Sequence, residues 1–586
     1  MSSPVWLGEL LDWLSENGVD VDRMPLKIGN MSRGYELFAT RDLTERERLV
    51  NLPPSVLLNV RTVVANSACP EEVVDRLSAF QLLALVLSVN RPQPYRHSCC
   101  PSTCTLRNLQ QKSRNNNLQL EDIKEENEGQ DDVDAPNLSE SCLMSSFAPY
   151  FASLPSKFDT IPLWVIKSNT LNTPQKQAFK LAYQEFANHC FTPSLITKTN
   201  SVLARYERDL GVVKNVLSIL PKEDSSRIMF CEEDFLWGWL IVNTRSMWCD
   251  LSAANHEDNI TLAPFLDMAN HDPRGKATIK VTADRGIAYY SSPVENLSFS
   301  VFNKKKFTQK LGEPVPFKYG GHDDECLLSE YGFTLGWETN HFNSVDVTKE
   351  VRKLFNYSQL KTLTMYGYGD NSDYAIVRNE NNGYEGSYNL MVSLRLLHLK
   401  SLEKADLAPW MRHIEGVKDI VSPENEKLVQ QTLVTIARGI VYECRSTLQK
   451  IKVFTTEGYF DQRFVILNTK EQRRQERMQE QQQQRSSAIS SASSSMPVAS
   501  SSKQAYNGDD GLNDPDDDCD DQEDGDSDSD SDDDEHLHNV SVAWQKTHFR
   551  TILSWTMRLW KERLQAAEYI FLKNQDKTSS TATTAK

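Results

Sequence analysis

The sequence has no apolar run long enough to cross a bilayer. Its most apolar stretch, Ala79 to Val89 (AFQLLALVLSV), falls well short of the roughly 20 residues that a spanning helix needs. The first residues, MSSPVWLGELLDWLSENG, carry acids within their apolar stretch, unlike a secretory signal peptide. Cysteine is sparse: 11 in 586 residues, odd in number and mostly single, which argues against a disulfide scaffold and for a reduced cytoplasmic or nuclear compartment. An excess of basic residues is missing too. The formal net charge is −17, so direct nucleic-acid binding is not expected, nor is a membrane. That acidity is local, however. Residues 509–535 hold seventeen Asp and Glu and no Lys or Arg, which leaves the remainder close to neutral.

What is present suggests two or three domains. Trp6 to Asn17 reads as an amphipathic helix with Trp6, Leu7, Leu10, Leu11 and Leu14 on one stripe and Gly18 as its cap. Leu26 to Leu58 breaks into short strand-like pieces. Pro70 to Val89 returns to helix, with Glu71 and Glu72 in its first turn. From about 91 to 140 periodicity is lost and aromatics are few, which predicts a disordered insertion. Order resumes at PYFASLPSKFDTIPLW and continues as helices to about Asn243. Thr261 to Tyr290 reads as strand and turn, and Phe342 to about Leu467 as mainly helix. Residues 471–539 are Gln-rich, then Ser-rich, then Asp-rich, the composition of a disordered linker. Beyond them Trp544, His548, Ile552, Trp555 and Leu559 mark one bulky helix face, expected to dock back across that linker.

Three short segments far apart in the chain carry the functional argument. One is Arg33-Gly34-Tyr35-Glu36-Leu37-Phe38-Ala39, a glycine turn entering a strand. Another is Asn243-Thr244-Arg245, followed by LAPFLDMANH ending at Asn270-His271. The last is Lys318-Tyr319-Gly320 with LLSEYGF, which contains Tyr331 and Phe333. Each alone has a plain explanation: a turn, a satisfied polar pair, a packed aromatic. Their order and spacing are more telling.

In that layout, and in APFLDMANHDP, KYGGHDDECLLSEYGF and PYFASLPSKFDTIPLW, the chain resembles the SET methyltransferase branch that includes the Rubisco large-subunit lysine methyltransferase. The resemblance runs from about Leu26 to Lys452. It implies an α+β fold: small β-sheets with a pseudoknot, interrupted by a helical insertion and followed by an all-α substrate-binding domain. The implied boundaries are 24–337 for the SET domain, with the insertion at about 60–240, and 342–470 plus 540–573 for the helical domain.

The resemblance also implies S-adenosyl-L-methionine as cofactor and lysine of a protein substrate as acceptor. Arg33, Gly34 and Tyr35 would wrap the methionine end, and Arg245 would lie near its carboxylate. Asp267 through His271 would hold the adenosine, with Asn270 and His271 at the adenine edge, and Tyr331 and Phe333 would also bind the cofactor. Tyr319 and Tyr331 would flank a narrow amine channel. Methyl transfer from a sulfonium needs a neutral amine, and a desolvated channel disfavours the ammonium form. No metal is required. His97, Cys99, Cys100 and Cys104 match no established zinc spacing.

Two positions depart from the family pattern: Glu36 replaces the usual second glycine, and Asp324 replaces an asparagine before the second tyrosine. They leave open a SET scaffold that binds protein tails without turnover. A non-lysine acceptor such as histidine is a further alternative. An acidic scaffold built on the Asp-rich tract fits least, since it has no need of the three motifs. That tract suits a basic partner, a histone or ribosomal protein.

Overall fold

The computed structural model describes residues 4–31, 34–66, 69–92, 144–156, 158, 160, 184–221, 228, 230–293, 307–369, 374–379, 381–454, 477 and 551–573. Arg33, most of the 91–140 stretch, all of the 471–539 tract but Arg477, and the His97–Cys104 group therefore lie outside the described residues. So do Trp544 and His548. The described chain separates into two compact units: Met1–Ile166 with Thr192–Val441 and Glu562–Lys586, and Lys167–Phe191 with Tyr442–Lys561.

The first unit is α+β with small sheets. β1 (Leu26–Met31) and β2 (Gly34–Ala39) form an antiparallel hairpin, and Gly34 begins β2 at φ 117°, a backbone that a side chain would strain. β3 (Leu43–Thr44) and β4 (Arg48–Leu52) follow. After the helical insertion come β5 (Met247–Trp248), β6 (Ile260–Thr261), β7 (Thr278–Val281), β8 (Ile287–Tyr290) and β9 (Phe307–Gln309). The sheet order is β4-β8-β7, with β3 on β9 and β5 on β6 as separate pairs, so strands from both sides of the insertion interleave.

One thread fixes the site. The main chain of 312–315 runs along β2, where Ala39 N–H donates to Glu313 O at 2.9 Å and Val315 N–H donates to Leu37 O at 2.9 Å. Two residues on, Phe317 N–H donates to Asn270 O at 2.9 Å, and Phe317 forms parallel bridges to His271 and Ala277. The same strand-like thread thus joins the β1-β2 hairpin to the Asn270-His271 segment.

The insertion contributes helices Val60–Asn66, Glu71–Arg76, Ala79–Val89, Ala148–Ser153, Pro193–Ile219 and Glu232–Arg245. Ala79–Val89 starts with a capping box, Ser78 and Gln81 each bonding the other's backbone N–H. It packs tightly on Glu232–Arg245 through Gly238, where a Cβ would collide with the Ala84 carbonyl oxygen. From helix Pro193–Ile219 the buried Asp209 joins both, accepting from Trp239 Nε1 at 3.0 Å and Gln81 Nε2 at 2.9 Å.

The region after residue 342 departs from the all-α expectation in one respect. β10 (Ser344–Asp346), β11 (Ala375–Arg378) and β12 (Tyr384–Gly386) form an antiparallel sheet, turning Val345, Ile376 and Tyr384 inward. Strands of three or four residues are too short for an alternating pattern to stand out against helix. The rest is helical: Tyr357–Met365, Tyr388–Leu397, Lys404–Ile414 and Pro423–Phe454. Arg395 ties these together with a bidentate bond to Glu426 (2.9 and 3.2 Å) and a bond to His413 Nε2 at 3.0 Å. Helix 551–573 adds Glu562, which accepts from Trp337 N–H at 3.2 Å, and Arg563, which donates to Asp346 O at 2.9 Å.

In the second unit Phe186 meets Phe454 edge-on at 5.9 Å, and Trp560 Nε1 donates to Cys190 O at 2.7 Å. No helix among the described residues is long and apolar enough to cross a membrane.

Candidate active site

The thread described above brings the second and third motifs together. Tyr319 follows Phe317 by two residues, so its backbone N–H reaches His271 Nδ1 at 3.1 Å and its hydroxyl donates to Ala269 O at 2.8 Å. The rings of His271 and Tyr319 lie 5.1 Å apart, and those of Tyr319 and Tyr331 5.4 Å apart. Phe333 closes the group, 6.2 Å from Tyr331 and 6.5 Å from His271. Tyr331 ends a single π-helical turn, Leu327–Tyr331, and Gly332 leaves it at φ 84°. Widened turns of this kind favour functional positions because they re-aim a side chain.

Beneath the aromatic group is a buried polar cluster. The Arg245 guanidinium, at the end of helix Glu232–Arg245, donates through Nη1 to Asp267 O at 2.8 Å and lies 3.5 Å from Asp267 Oδ2. Tyr150 donates its hydroxyl to the same Oδ2 at 3.0 Å. Burial pushes the Asp267 carboxyl above the usual carboxylate range, with Arg245 and Tyr150 opposing it. Asp267 Oδ1 and His271 Nε2 are buried with no hydrogen-bond partner among the described residues. Phe265, two residues before Asp267, holds φ 73° although buried, so its packing overrides the local backbone preference.

The phenols are tuned by burial. Tyr319 is pushed up to about 12, first by desolvation, with Arg245 lowering it and Asp267 and Glu36 raising it. Tyr331 is likewise pushed up, by desolvation and then by the neighbouring Cys326, Tyr319 and Glu330. Both therefore stay neutral at physiological pH.

No protein-family model matches the chain. Over 433 residues it is 21% identical to ribosomal lysine N-methyltransferase set11 of Schizosaccharomyces pombe, spanning 73% of this chain and 85% of that protein. Over 234 residues it is 28% identical to SET domain-containing protein 4 of Homo sapiens, spanning 38% of this chain and 47% of that protein. The chain is related to the SET-domain lysine methyltransferases. SET domain-containing protein 4, which the diagnostic stretches resemble, is thus among these relatives. Among solved structures, Rubisco LSMT bound to sinefungin and monomethyllysine superposes with a TM-score of 0.45 at 17% identity, covering 80% of this chain and 88% of that one. A likeness of that size carries no argument about the site.

Within this SET relative, Tyr319, Tyr331, Phe333, His271, Asp267 and Arg245 lie in one contiguous group. Asn270 joins it from the side: its carbonyl accepts from Phe317. Burial raises the carboxyl pKa of Glu36 on β2, and Asn270 opposes that rise. Gly34 and Tyr35 stand at the start of β2, where Tyr35 meets Trp6 edge-on at 4.8 Å. Tyr150 is absent from the residues selected from sequence. It lies in the diagnostic stretch PYFASLPSKFDTIPLW, yet no local pattern says that this tyrosine faces Asp267 rather than the apolar core.

Asp324, the other departure, has a structural role. It accepts from Leu335 N–H at 3.1 Å, Gly336 N–H at 2.6 Å and Asn340 Nδ2 at 2.9 Å. Its own N–H donates to Asn343 Oδ1 at 2.7 Å. The carboxylate therefore staples the segment following Phe333 to the turn that carries Tyr331. Among the described residues no group of three or more His, Cys, Asp or Glu could hold a metal ion.

Proposed function

We propose that the chain is an S-adenosylmethionine-dependent protein-lysine N-methyltransferase. The observation that carries this reading is the single aromatic and polar group formed by Tyr319, Tyr331, Phe333, His271 and Arg245 at the crossing of three distant segments. The likeness to a ribosomal lysine N-methyltransferase, spanned over most of its length, supports it.

The residues fit the cofactor. His271 accepts at Nδ1, so its neutral ring carries the hydrogen at Nε2, a buried donor without a partner that suits an acceptor on a heterocycle edge. Among the described residues Arg245 is engaged through Nη1, which leaves guanidinium donors for a carboxylate. Gly34 and Tyr35 supply main chain at the hairpin end. S-adenosylmethionine brings an electrophilic methyl group on a sulfonium.

The protein's own contribution is positioning and proton control. Tyr319 and Tyr331, held neutral, can accept or donate a hydrogen bond without offering a competing phenolate. The Tyr319 hydroxyl already spends its proton on Ala269 O, so its oxygen lone pairs are left for an amine hydrogen. A lysine amine loses its proton more readily among rings than in water, because desolvation disfavours the ammonium. Most of the acceleration is then alignment. The aromatic spacing favours a slender lysine amine over an imidazole. The substrate class that the relatives' names and the acidic tract favour is a basic protein, ribosomal or histone.

The test is transfer of labelled methyl from S-adenosylmethionine to ribosomal proteins and core histones, followed by mass spectrometry of the labelled residue. Methyl-lysine formation that drops at least about tenfold in Tyr331→Phe is expected, the loss of one oriented hydrogen bond in the transition state. A folded protein that labels no lysine but retains tail binding would instead establish a SET scaffold without turnover.

A further inference from the structure

Arg245 meets both the main chain and the side chain of Asp267, and it favours the main chain. Its Nη1 donates to Asp267 O at 2.8 Å but stays 3.5 Å from Asp267 Oδ2, longer than a charge-assisted hydrogen bond. The Asp267 side chain is fully buried, an environment in which opposite charges attract more strongly than in water. Oδ2 is already engaged, however. Tyr150, on helix Ala148–Ser153 of the insertion, donates its hydroxyl to that oxygen at 3.0 Å. Tyr150 has no exposed surface, and burial, followed by the charge of Asp267, pushes its phenol well above the ordinary value. It therefore remains the donor in this pair.

We propose that Tyr150 is a positioning residue: by occupying Asp267 Oδ2 it keeps the buried carboxylate from closing on Arg245, and so leaves the guanidinium for the carboxylate of a ligand. This rests on the methyltransferase reading, in which that carboxylate belongs to the methionine end of S-adenosylmethionine. A buried carboxylate that loses a donor carries the cost of an unmade hydrogen bond, and the guanidinium 3.5 Å away is in reach to make it good. Once drawn onto Oδ2, Arg245 is partly neutralised and turned away from a ligand. Tyr150 thus acts through Asp267 and Arg245, and through it the helical insertion sets the affinity for one end of the cofactor.

Calorimetry with two probes separates the possibilities: S-adenosylhomocysteine and its analogue lacking the carboxylate. The wild type should prefer S-adenosylhomocysteine. Tyr150→Phe, which keeps the ring and removes only the hydroxyl, should bind it about tenfold more weakly, as expected for one charge-assisted bond, and bind the decarboxylated analogue as the wild type does. A merely structural role would weaken both probes alike, and that result would overturn the proposal. So would a wild type indifferent to the carboxylate, or a Tyr150→Phe variant that binds as the wild type does. Asp267→Asn gives a second reading: its amide oxygen still accepts from Tyr150 but carries no charge to draw Arg245, so the preference for S-adenosylhomocysteine should persist. Loss of that preference would show that the carboxylate itself orients Arg245, against the proposal. Thermal melting confirms that both variants are folded. A wild type that melts cooperatively yet binds neither probe would remove the methyltransferase reading itself, a result distinct from a Tyr150 that merely has no effect.

Discussion

At the level of single residues, the two positions that depart from the family pattern turn out to be employed in different ways. Asp324 accepts from three N–H donors, so the asparagine usual at this position would turn an NH2 towards one of them. Glu36 stands half-buried on β2, where burial raises its carboxyl pKa and Asn270 opposes the rise. Neither use follows from residue type alone. His271 yields a pH prediction. Burial, opposed by a contact with the Phe317 backbone, holds its pKa below the ordinary imidazole value of 6.5. The unfolded chain therefore takes up the proton first as pH falls. The neutral ring's contribution to stability is complete above about 6.5 and is lost as pH falls towards the folded value. Protonation also removes the Nδ1 acceptor that Tyr319 N–H uses. In His271→Asn an amide oxygen can replace that acceptor without titrating. Thermal melting between about pH 7.5 and 5.5 should show a shallower decline for the variant. Parallel declines would show that His271 does not contribute.

At the level of elements, the helical insertion positions Arg245 and Tyr150, and its rigidity matters more than its sequence motif. Helices Ala79–Val89 and Glu232–Arg245 approach so closely at Gly238 that a methyl group would meet the Ala84 main chain, which cannot move aside as a flexible side chain would. Gly238→Ala must therefore separate the helices. The expected cost is about 1–3 kcal/mol by urea denaturation, in spite of alanine's better helix propensity. An increase in stability would mean that the helices separate without loss. The same packing explains why Trp239 and Phe80 meet at 5.4 Å and why Asp209 tolerates burial, with Trp239 and Gln81 donating to it. The helix periods of this region were legible in the sequence, as was the glycine turn that enters β2, though not its pairing with β1. The three-stranded sheet between Ser344 and Gly386 was not, because each of its strands supplies only one or two inward residues.

At the level of the whole molecule, charge is divided sharply. The 509–535 tract accounts for the entire formal charge of −17, and the remainder is close to neutral. A charge block of this kind acts on encounter and not on the bound complex. Deleting residues 507–536 should slow association with a basic histone-tail peptide severalfold at low salt. At about 0.15 M salt, where the screening length is about 8 Å, the difference should shrink. Stopped-flow rates that match the full chain at every ionic strength would remove the tract from substrate capture.

The sequence by itself determined which residue types are available and in what order: the glycine entering β2, the Asn270-His271 pair, the two Tyr-Gly steps, the helix periods and the acidic block. These are local properties, set by backbone preference, periodicity and composition. Only the tertiary structure decided that the 312–319 thread lies between β2 and Asn270, that Tyr150 points at Asp267, and that Tyr319 reaches His271. Those are contacts between residues tens to hundreds of positions apart, and no short-range pattern encodes them. They exist because burying the aromatic group leaves each polar neighbour with a choice between a specific partner and the cost of having none.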